Sequence, residues 1–221
     1  MIELLPALMP KTIAELEKKL TWVRGVTPWV QLDVMDGEFV PNTSYPYVAP
    51  GKLSIENEQL PYIDDFKYEF DLMVRNPHGV IGKFMHLGAS RMVFHYESAS
   101  VAELHHALHE TRQFDVQVGM SLSNDTPISV LREFLPEISF VQVMGIARIG
   151  FQGEPFDTRA LMRLHELRAT YPDLILSVDG SVNTNTARKL ADAGATRLIA
   201  GSAVWEKRDP LSGLRELSSV L

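Results

Sequence analysis

The sequence predicts a single (β/α)8 barrel domain that spans residues 1–221. Short apolar segments recur along the chain, helix-like stretches separate them, and the 221 residues leave about 28 for each of eight strand–helix units. Alternation of strands and helices favours a parallel sheet with helical crossovers. A doubly wound open sheet is the alternative that the same alternation allows.

The predicted strands are short and rich in Val, Ile, Leu and Phe. This composition is typical of parallel strands that are buried on both faces. The eight segments are Ile2–Leu8, Trp29–Met35, Tyr68–Val74, Arg91–His95, Val116–Leu122, Phe140–Met144, Leu174–Asp179 and Arg197–Ala200.

The predicted helices have apolar residues at spacings of three and four, which place those residues on one helix face. Gly25, Gly88 and Gly194 stand where the residue after a helix is often a glycine. The helical segments are Ile13–Val23, Val80–Leu87, Val101–Thr111, Pro127–Phe134, Leu161–Leu167, Thr184–Ala193 and Pro210–Leu221.

Composition excludes several classes of function. The chain has no cysteine, so it has no disulfide, thiolate zinc site or cysteine nucleophile. A net charge of −7 without a basic stretch argues against a nucleic-acid partner. No apolar run reaches the ~18–20 residues of a membrane span, and the first residues lack the pattern of a signal peptide, so we expect a soluble, cytoplasmic protein with no membrane partner. No nucleotide-binding motif occurs, so we expect no nucleotide cofactor.

Two long connections follow predicted strands. One runs from Asp36 to about Asp65, and the other is Gly145–Asp157. In a barrel both lie at the C-terminal ends of the strands, where the active sites of this fold are found.

Carboxylates lie at the C-terminal ends of three predicted strands. Gln31 and Asp33 share one face of the second strand, while Asp71 ends the third and Asp179 the seventh. Burying such groups costs several kcal/mol unless they are paired, protonated or bound to a metal ion. We therefore interpret this strand end as a candidate active site. The alternative is a water-filled barrel mouth in which Lys67 or arginine side chains pair with the carboxylates.

Glycine–serine pairs follow the last two predicted strands. Gly180 and Ser181 come after the seventh strand, and Gly201 and Ser202 after the eighth. Barrel enzymes often bind phosphate with these two loops, because glycine lets backbone N–H groups approach the anion. Each pair alone indicates only a turn, whereas both together favour a phosphate site.

The segment Leu32–Asn42, LDVMDGEFVPN, resembles the second-strand signature of ribulose-phosphate 3-epimerases, with Glu38 in place of that signature's second histidine. Further segments resemble this family in the same order along the chain. They are Phe70–Val74, Phe94–His95, Gly150–Gly153, Ser177–Val182 and Ala200–Ala203.

The resemblance implies a ribulose-phosphate-binding barrel that interconverts ribulose 5-phosphate and xylulose 5-phosphate. It makes Asp33 and Asp179 the two catalytic groups that move the proton at C3. It also implies a small phosphorylated sugar as ligand and a homo-oligomer as a further expectation. His95 is interpreted as a polar residue of the barrel mouth, with a catalytic role as the alternative. Further residues that the resemblance places at the site are Met35, Met73 and Met144, which line it, and Gly150 and Gly153 in the substrate loop.

The sequence departs from the family at its metal site. The family uses His, Asp, His and Asp, whereas this chain has Gln31, Asp33, Asp71 and Asp179. An all-oxygen set suits Mg²⁺ or Mn²⁺ better than Zn²⁺. The alternative is a metal-free site in which one aspartate is protonated.

Other departures leave the activity open. Ala7 replaces a strand-1 serine, Gln152 replaces a glycine, and the loop with Arg148 is one residue longer than in the family. Arg148 is interpreted either as a cation near the substrate or as an exposed arginine of the lid. The alternative functions are a divergent barrel enzyme that acts on another sugar phosphate and a non-catalytic sugar-phosphate-binding protein.

Overall fold

Eight parallel strands form a closed barrel in the computed structural model, which describes residues 2–55 and 59–221. Closure confirms the predicted barrel and shows that the open-sheet alternative is wrong. The strands in chain order are β1 (Glu3–Leu8), β2 (Trp29–Met35), β3 (Tyr47–Ala49), β4 (Lys52–Leu53), β5 (Lys67–Met73), β6 (Ala89–His95), β7 (Gln117–Leu122), β8 (Phe140–Met144), β9 (Ile175–Asp179) and β10 (Arg197–Ala200). Around the barrel their order is β1-β10-β9-β8-β7-β6-β5-β2, and β3 and β4 form a separate pair.

Helices follow most of the strands. Thr12 caps the first of them by accepting a hydrogen bond from the Glu15 N–H at 3.1 Å, and Ser100 and Glu103 form a capping box at the third. The helices are α1 (Ile13–Val23), α2 (Ile81–Leu87), α3 (Val101–Thr111), α4 (Arg159–Thr170), α5 (Ala187–Asp192), α6 (Ser202–Trp205) and α7 (Pro210–Ser219). None of these helices combines the length and the apolar character needed to cross a membrane.

The strand–helix repeat is irregular at two connections. The predicted helix over Pro127–Phe134 is a 3-10 helix over Ile128–Glu133, because the short segment between Pro127 and Pro136 leaves little room for α-helical turns. The connection after β2 carries the antiparallel pair of β3 and β4, and its described residues form no helix. Four prolines interrupt this connection, and residues 56–58 of it lie outside the described part of the chain.

The chain divides into two compact units, which we call the first and second unit. The first is Ala7–Gly119, and the second comprises Met1–Pro6 and Met120–Leu221. Organisation as one domain stays a prediction. Within the first unit, β2 and β5 pair in parallel without a register shift, from Trp29 opposite Lys67 to Met35 opposite Met73.

A charged pair is buried in the first unit below the strand ends. Arg91 lies 3.5 Å from a Glu69 carboxylate oxygen, and its Nε donates to Gln117 at 3.0 Å. The guanidinium also stacks 3.4 Å from the centre of the Trp29 ring. Both members of the ion pair are at most 5% exposed, so loss of either charge leaves the other in a poorly solvated position.

We therefore expect Arg91→Met to lower the free energy of unfolding by about 3–5 kcal/mol, because it leaves the Glu69 carboxylate buried without this cation. The double variant Glu69→Met/Arg91→Met should recover much of that loss, since it removes both charges of the buried pair. Urea unfolding measures both. The control is Arg188→Met, which removes an exposed ion pair with Asp192 and should cost at most about 1 kcal/mol. Equal losses for Arg91→Met and the control would contradict the account.

Candidate active site

Three carboxylates meet at the C-terminal ends of the strands. Asp33 in β2 and Asp71 in β5 lie opposite each other in the in-register ladder of the first unit. Asp179 is the last residue of β9. Each of the three offers a carboxylate oxygen, and these oxygens lie within 4.8 Å of one another. Asp33, Asp71 and Asp179 are 2%, 0% and 9% exposed, so the arrangement concentrates negative charge where water solvates it poorly.

Gln31 supports one of these carboxylates from the same strand. Its Nε2 donates to Asp33 Oδ1 at 2.8 Å, and both side chains are buried. Residues two apart in a strand lie on the same face, which explains why this contact forms. Gln31 is also one of the metal ligands predicted from the sequence. The Gln31 amide would bind a cation through its oxygen.

His95 at the end of β6 contacts the second carboxylate. Its Nε2 lies 3.0 Å from Asp71 Oδ1, and both side chains are at most 1% exposed. Asp71 Oδ2 is buried and has no hydrogen-bond donor among residues 2–55 and 59–221. One oxygen of Asp71 is therefore oriented by the imidazole while the other is available to a ligand. The contact joins residues 24 apart in sequence, and no local pattern indicates it.

Asp36 organises the loop that follows β2 and is a residue that the sequence analysis missed. Its Oδ1 accepts hydrogen bonds from the N–H groups of Glu38 and Phe39, both at 2.8 Å, and its Oδ2 accepts one from the Arg75 N–H at 2.6 Å. The Asp-Gly pair at positions 36 and 37 could have indicated this turn, because Gly37 has a φ of +76°. The turn places the Phe39 ring 5.4 Å from the His95 ring.

The three methionines predicted to line the site each end a strand, but they lie opposite different residues. Met35 and Met73 lie opposite each other at the ends of β2 and β5 in the first unit. Met144 ends β8 opposite Asp179 in the second unit, and the Ser121 hydroxyl lies 3.2 Å from its sulfur. All three are buried, and their place in the lining of the site stays a prediction.

Two glycines allow close approach of the chain at the ends of β8 and β9. The Gly145 N–H donates to the Asp179 carbonyl at 2.6 Å. A Cβ on Gly145 would lie 2.0 Å from the Gly180 carbonyl oxygen, which is a steric clash. Gly180 itself has a φ of +98°, a conformation that favours glycine. These residues therefore fix the backbone that carries Asp179.

Backbone donors are exposed in the loops after β9 and β10. The N–H groups of Gly180, Ser181, Gly201 and Ser202 donate no hydrogen bond to the part of the chain that the structure describes. All four residues are partly exposed. Such N–H groups can donate hydrogen bonds to an anion, and the assignment of these residues to a phosphate site stays a prediction.

The loop after β8 contains the other predicted substrate residues. Gly150 and Gly153 have φ values of +85° and +73°. The Ser181 hydroxyl donates to the Glu154 carbonyl at 2.8 Å, which joins this loop to the one after β9. Arg148 is exposed and forms a salt bridge with Glu154 at 2.6 Å. Arg148 is therefore an exposed arginine of this loop, and its role in a lid stays a prediction.

Asp157 anchors the far end of this loop. Its N–H donates to the Gly145 carbonyl at 2.8 Å, and its carboxylate accepts hydrogen bonds from Asn124 and from the Arg159 guanidinium. The Arg159 contact lowers the pKa of Asp157 to about 2. The carboxylate therefore stays charged over the physiological pH range and holds the loop at its base.

The family match and the similar sequences agree on the same protein family. The Ribulose-phosphate 3 epimerase family matches residues 3–205 of the chain. A ribulose-phosphate 3-epimerase of Schizosaccharomyces pombe is 32% identical over 215 residues, which are 95% of this chain and 91% of that protein. One from Bacillus subtilis is 29% identical over 223 residues, with 98% of each chain covered.

Solved structures share the fold at lower sequence identity. A 3-hexulose-6-phosphate synthase superposes with a TM-score of 0.71 at 17% identity and covers 100% of both chains. KGPDC from Streptococcus mutans gives a TM-score of 0.69 at 14% identity and covers 100% of this chain and 97% of that one. At these identities the likeness shows the barrel fold alone.

We expect Gly145→Ala to destabilise the protein, because the added methyl group would clash with the Gly180 carbonyl. The loss should be about 1–3 kcal/mol and should also displace the Asp179 carbonyl. The matched control is Gly82→Ala, since the residue lies in α2 and, in the part of the chain that the structure describes, a Cβ there would meet no atom within 4 Å beyond its chain neighbours and its own helix backbone. That control should be neutral or stabilising by up to about 1 kcal/mol. Thermal unfolding of both variants measures the difference, and equal melting temperatures would contradict the steric argument.

Proposed function

The chain belongs to the ribulose-phosphate 3-epimerase family, a family of isomerases, and on that premise we propose that it interconverts ribulose 5-phosphate and xylulose 5-phosphate. The observation that carries the proposal is the convergence of Asp33 and Asp179, with Asp71, at the strand ends. Epimerisation removes a proton from one face of a carbon and returns one to the other face, so it requires two acid–base groups.

In the proposed mechanism one aspartate is charged and the other protonated when the ketose binds. Take the direction in which Asp33 is the base. It removes the proton from C3, and the electron pair of the C–H bond forms a double bond between C3 and C2, which leaves a negative charge on the C2 oxygen. The C2 oxygen then re-forms the carbonyl, and the electron pair of the C2–C3 double bond takes the proton of Asp179 at C3 from the opposite face. Each turnover exchanges the protonation states of the two aspartates, and proton exchange with water between turnovers restores them.

The donor set suits a hard divalent cation. Asp33, Asp71 and Asp179 would hold it. Asp71 Oδ2 is buried and accepts no hydrogen bond from the described chain, so it is able to act as a metal ligand. Carboxylate oxygens suit Mg²⁺ or Mn²⁺ better than Zn²⁺. When bound, such an ion would stabilise the negative charge that develops on the enediolate oxygens. His95 would hold Asp71 in the orientation that presents Oδ2.

The substrate's phosphate group would lie on the loops after β9 and β10. The N–H groups of Gly180, Ser181, Gly201 and Ser202 are the proposed donors. Anchoring at a group that does not react would hold C3 near the two aspartates. Homo-oligomer formation stays a prediction.

A second candidate is isomerase or lyase chemistry on a different sugar phosphate. The observation that favours it is the loss of both imidazoles of the family's metal site, with Gln31 hydrogen-bonded to Asp33 instead. A thermal-shift panel of pentose and hexose phosphates separates the two candidates. Preferential stabilisation by a hexose phosphate would favour the second.

The proposed epimerase should exchange the C3 proton of ribulose 5-phosphate with deuterium in D2O when a divalent ion is present. Asp33→Asn and Asp179→Asn should each lower that exchange by at least about 100-fold, because an amide cannot carry the proton. Proton NMR of the C3 signal measures the exchange. Absence of exchange in the unaltered protein with every divalent ion supplied would overturn the function.

The metal preference should change when the imidazoles of the family are restored. We expect the double variant Gln31→His/Asp71→His to retain more Zn²⁺ than the unaltered protein does, since imidazole nitrogen is a better ligand for zinc. Each protein is dialysed against equimolar Mn²⁺ and Zn²⁺, and the bound metals are measured by elemental analysis. Asp71→Asn is the companion variant and should retain less of either metal. The same Mn²⁺ to Zn²⁺ ratio in the double variant and the unaltered protein would contradict the assignment.

A further inference from the structure

The side chain of Gln152 lies over the loop that follows β10. Its Nε2 is 3.1 Å from the position that a Cβ on Gly201 would take, and its Cδ and Cγ are 3.7 and 3.9 Å from that position. A side chain on residue 201 would therefore meet the Gln152 amide. The chain has glutamine at a position where the family signature has glycine, so this feature belongs to the present protein.

The backbone at this position accepts a side chain without strain. Gly150 and Gly153 have φ values of +85° and +73°, whereas Gln152 is not among the residues with positive φ. The two flanking glycines therefore meet the conformational demands of the turn. The backbone conformation at residue 152 therefore does not determine which side chain stands there. The glutamine amide is explained by what it contacts.

The donor end of the amide faces Gly201 and is available. Nε2 is the nearest atom of Gln152 to that position, and the side chain makes no hydrogen bond to the described part of the chain. The residue is exposed. Two neighbouring contacts hold the loop in place: Arg148 pairs with Glu154 through two N–H···O bonds of 2.6 and 3.2 Å, and Ser181 donates to the Glu154 carbonyl.

We propose that Gln152 is a substrate-binding residue whose amide N–H donates to the phosphate group of the substrate. The phosphate would lie between this amide and the N–H groups of Gly201 and Ser202, which are the donors already assigned to it. The ligand class is a terminal phosphate monoester. The inference rests on the proposed sugar-phosphate function and deepens it, because it names a side-chain donor at the phosphate site.

The first test measures the binding of inorganic phosphate by titration calorimetry. Gln152→Met keeps the length of the side chain but removes the donor, and we expect it to weaken binding about threefold to tenfold. Gln152→Glu replaces the donor with a negative charge and should weaken binding by more than tenfold. The control Gln113→Met lies on the exposed segment just after α3 and should leave the Kd unchanged. The melting temperature should stay the same in all variants, because residue 152 is exposed.

The second test uses the kinetics with ribulose 5-phosphate. A contact to the phosphate is the same in the ground state and the transition state, so its loss should raise KM and leave kcat nearly unchanged. Gln152→Met should show this split. A merely structural role would instead lower kcat and the melting temperature together.

The outcomes separate this inference from the proposed function. If inorganic phosphate binds the unaltered protein and Gln152→Met binds it equally well or more tightly, the inference is overturned while the epimerase proposal stands. If phosphate binding depends on Gln152 but no C3 exchange occurs, the epimerase proposal fails and the phosphate contact stands. Failure of the unaltered protein to bind inorganic phosphate overturns the inference as well.

Discussion

Mutual repulsion among three buried carboxylates is the constraint on which the rest of the site depends. Taking a charged group out of water costs several kcal/mol, and oxygens within 4.8 Å of one another add repulsion to that cost. Only a cation, a bound proton or hydrogen-bond donors can offset it. The structure shows part of the compensation, since Gln31 donates to Asp33 and His95 contacts Asp71. A divalent ion, or a proton on one aspartate, would supply the remainder, and each of these is also what the proposed proton transfer requires.

The positions of the acids follow from patterns that a sequence displays. Alternation within Trp29–Met35 places Asp33 on the inner face, and parallel pairing without a register shift then brings Asp71 beside it. The barrel likewise follows from the recurrence of short apolar segments. Local spacing holds no information on the His95–Asp71 contact, because closure of the sheet brings the two residues together. The helix expected over Pro127–Phe134 was wrong in type, because the prolines at 127 and 136 restrict that segment more than its apolar spacing indicates.

The glycines and Gln152 have different roles in the loops of the second unit. Gly145 permits a close backbone approach that a side chain would block, and Gly180 adopts a positive φ, so the role of the first is steric and that of the second conformational. Gln152 has no positive φ, so its backbone does not require glycine, and the role proposed for it lies in its amide group. The sequence indicates Gly180 and the departure at 152, whereas the close approach at Gly145 and the direction of the Gln152 amide are properties of the folded loops. The proposed phosphate site would therefore combine backbone donors with one side-chain donor.

The central claim, that Asp33, Asp71 and Asp179 together form one cation-binding acid–base centre, is tested most directly by anomalous diffraction from crystals grown with Mn²⁺. The account predicts an anomalous peak in contact with carboxylate oxygens of all three aspartates. A map in which the three side chains are well ordered, and in which the carboxyl group of Asp179 points away from those of Asp33 and Asp71 with no peak between them, would contradict it.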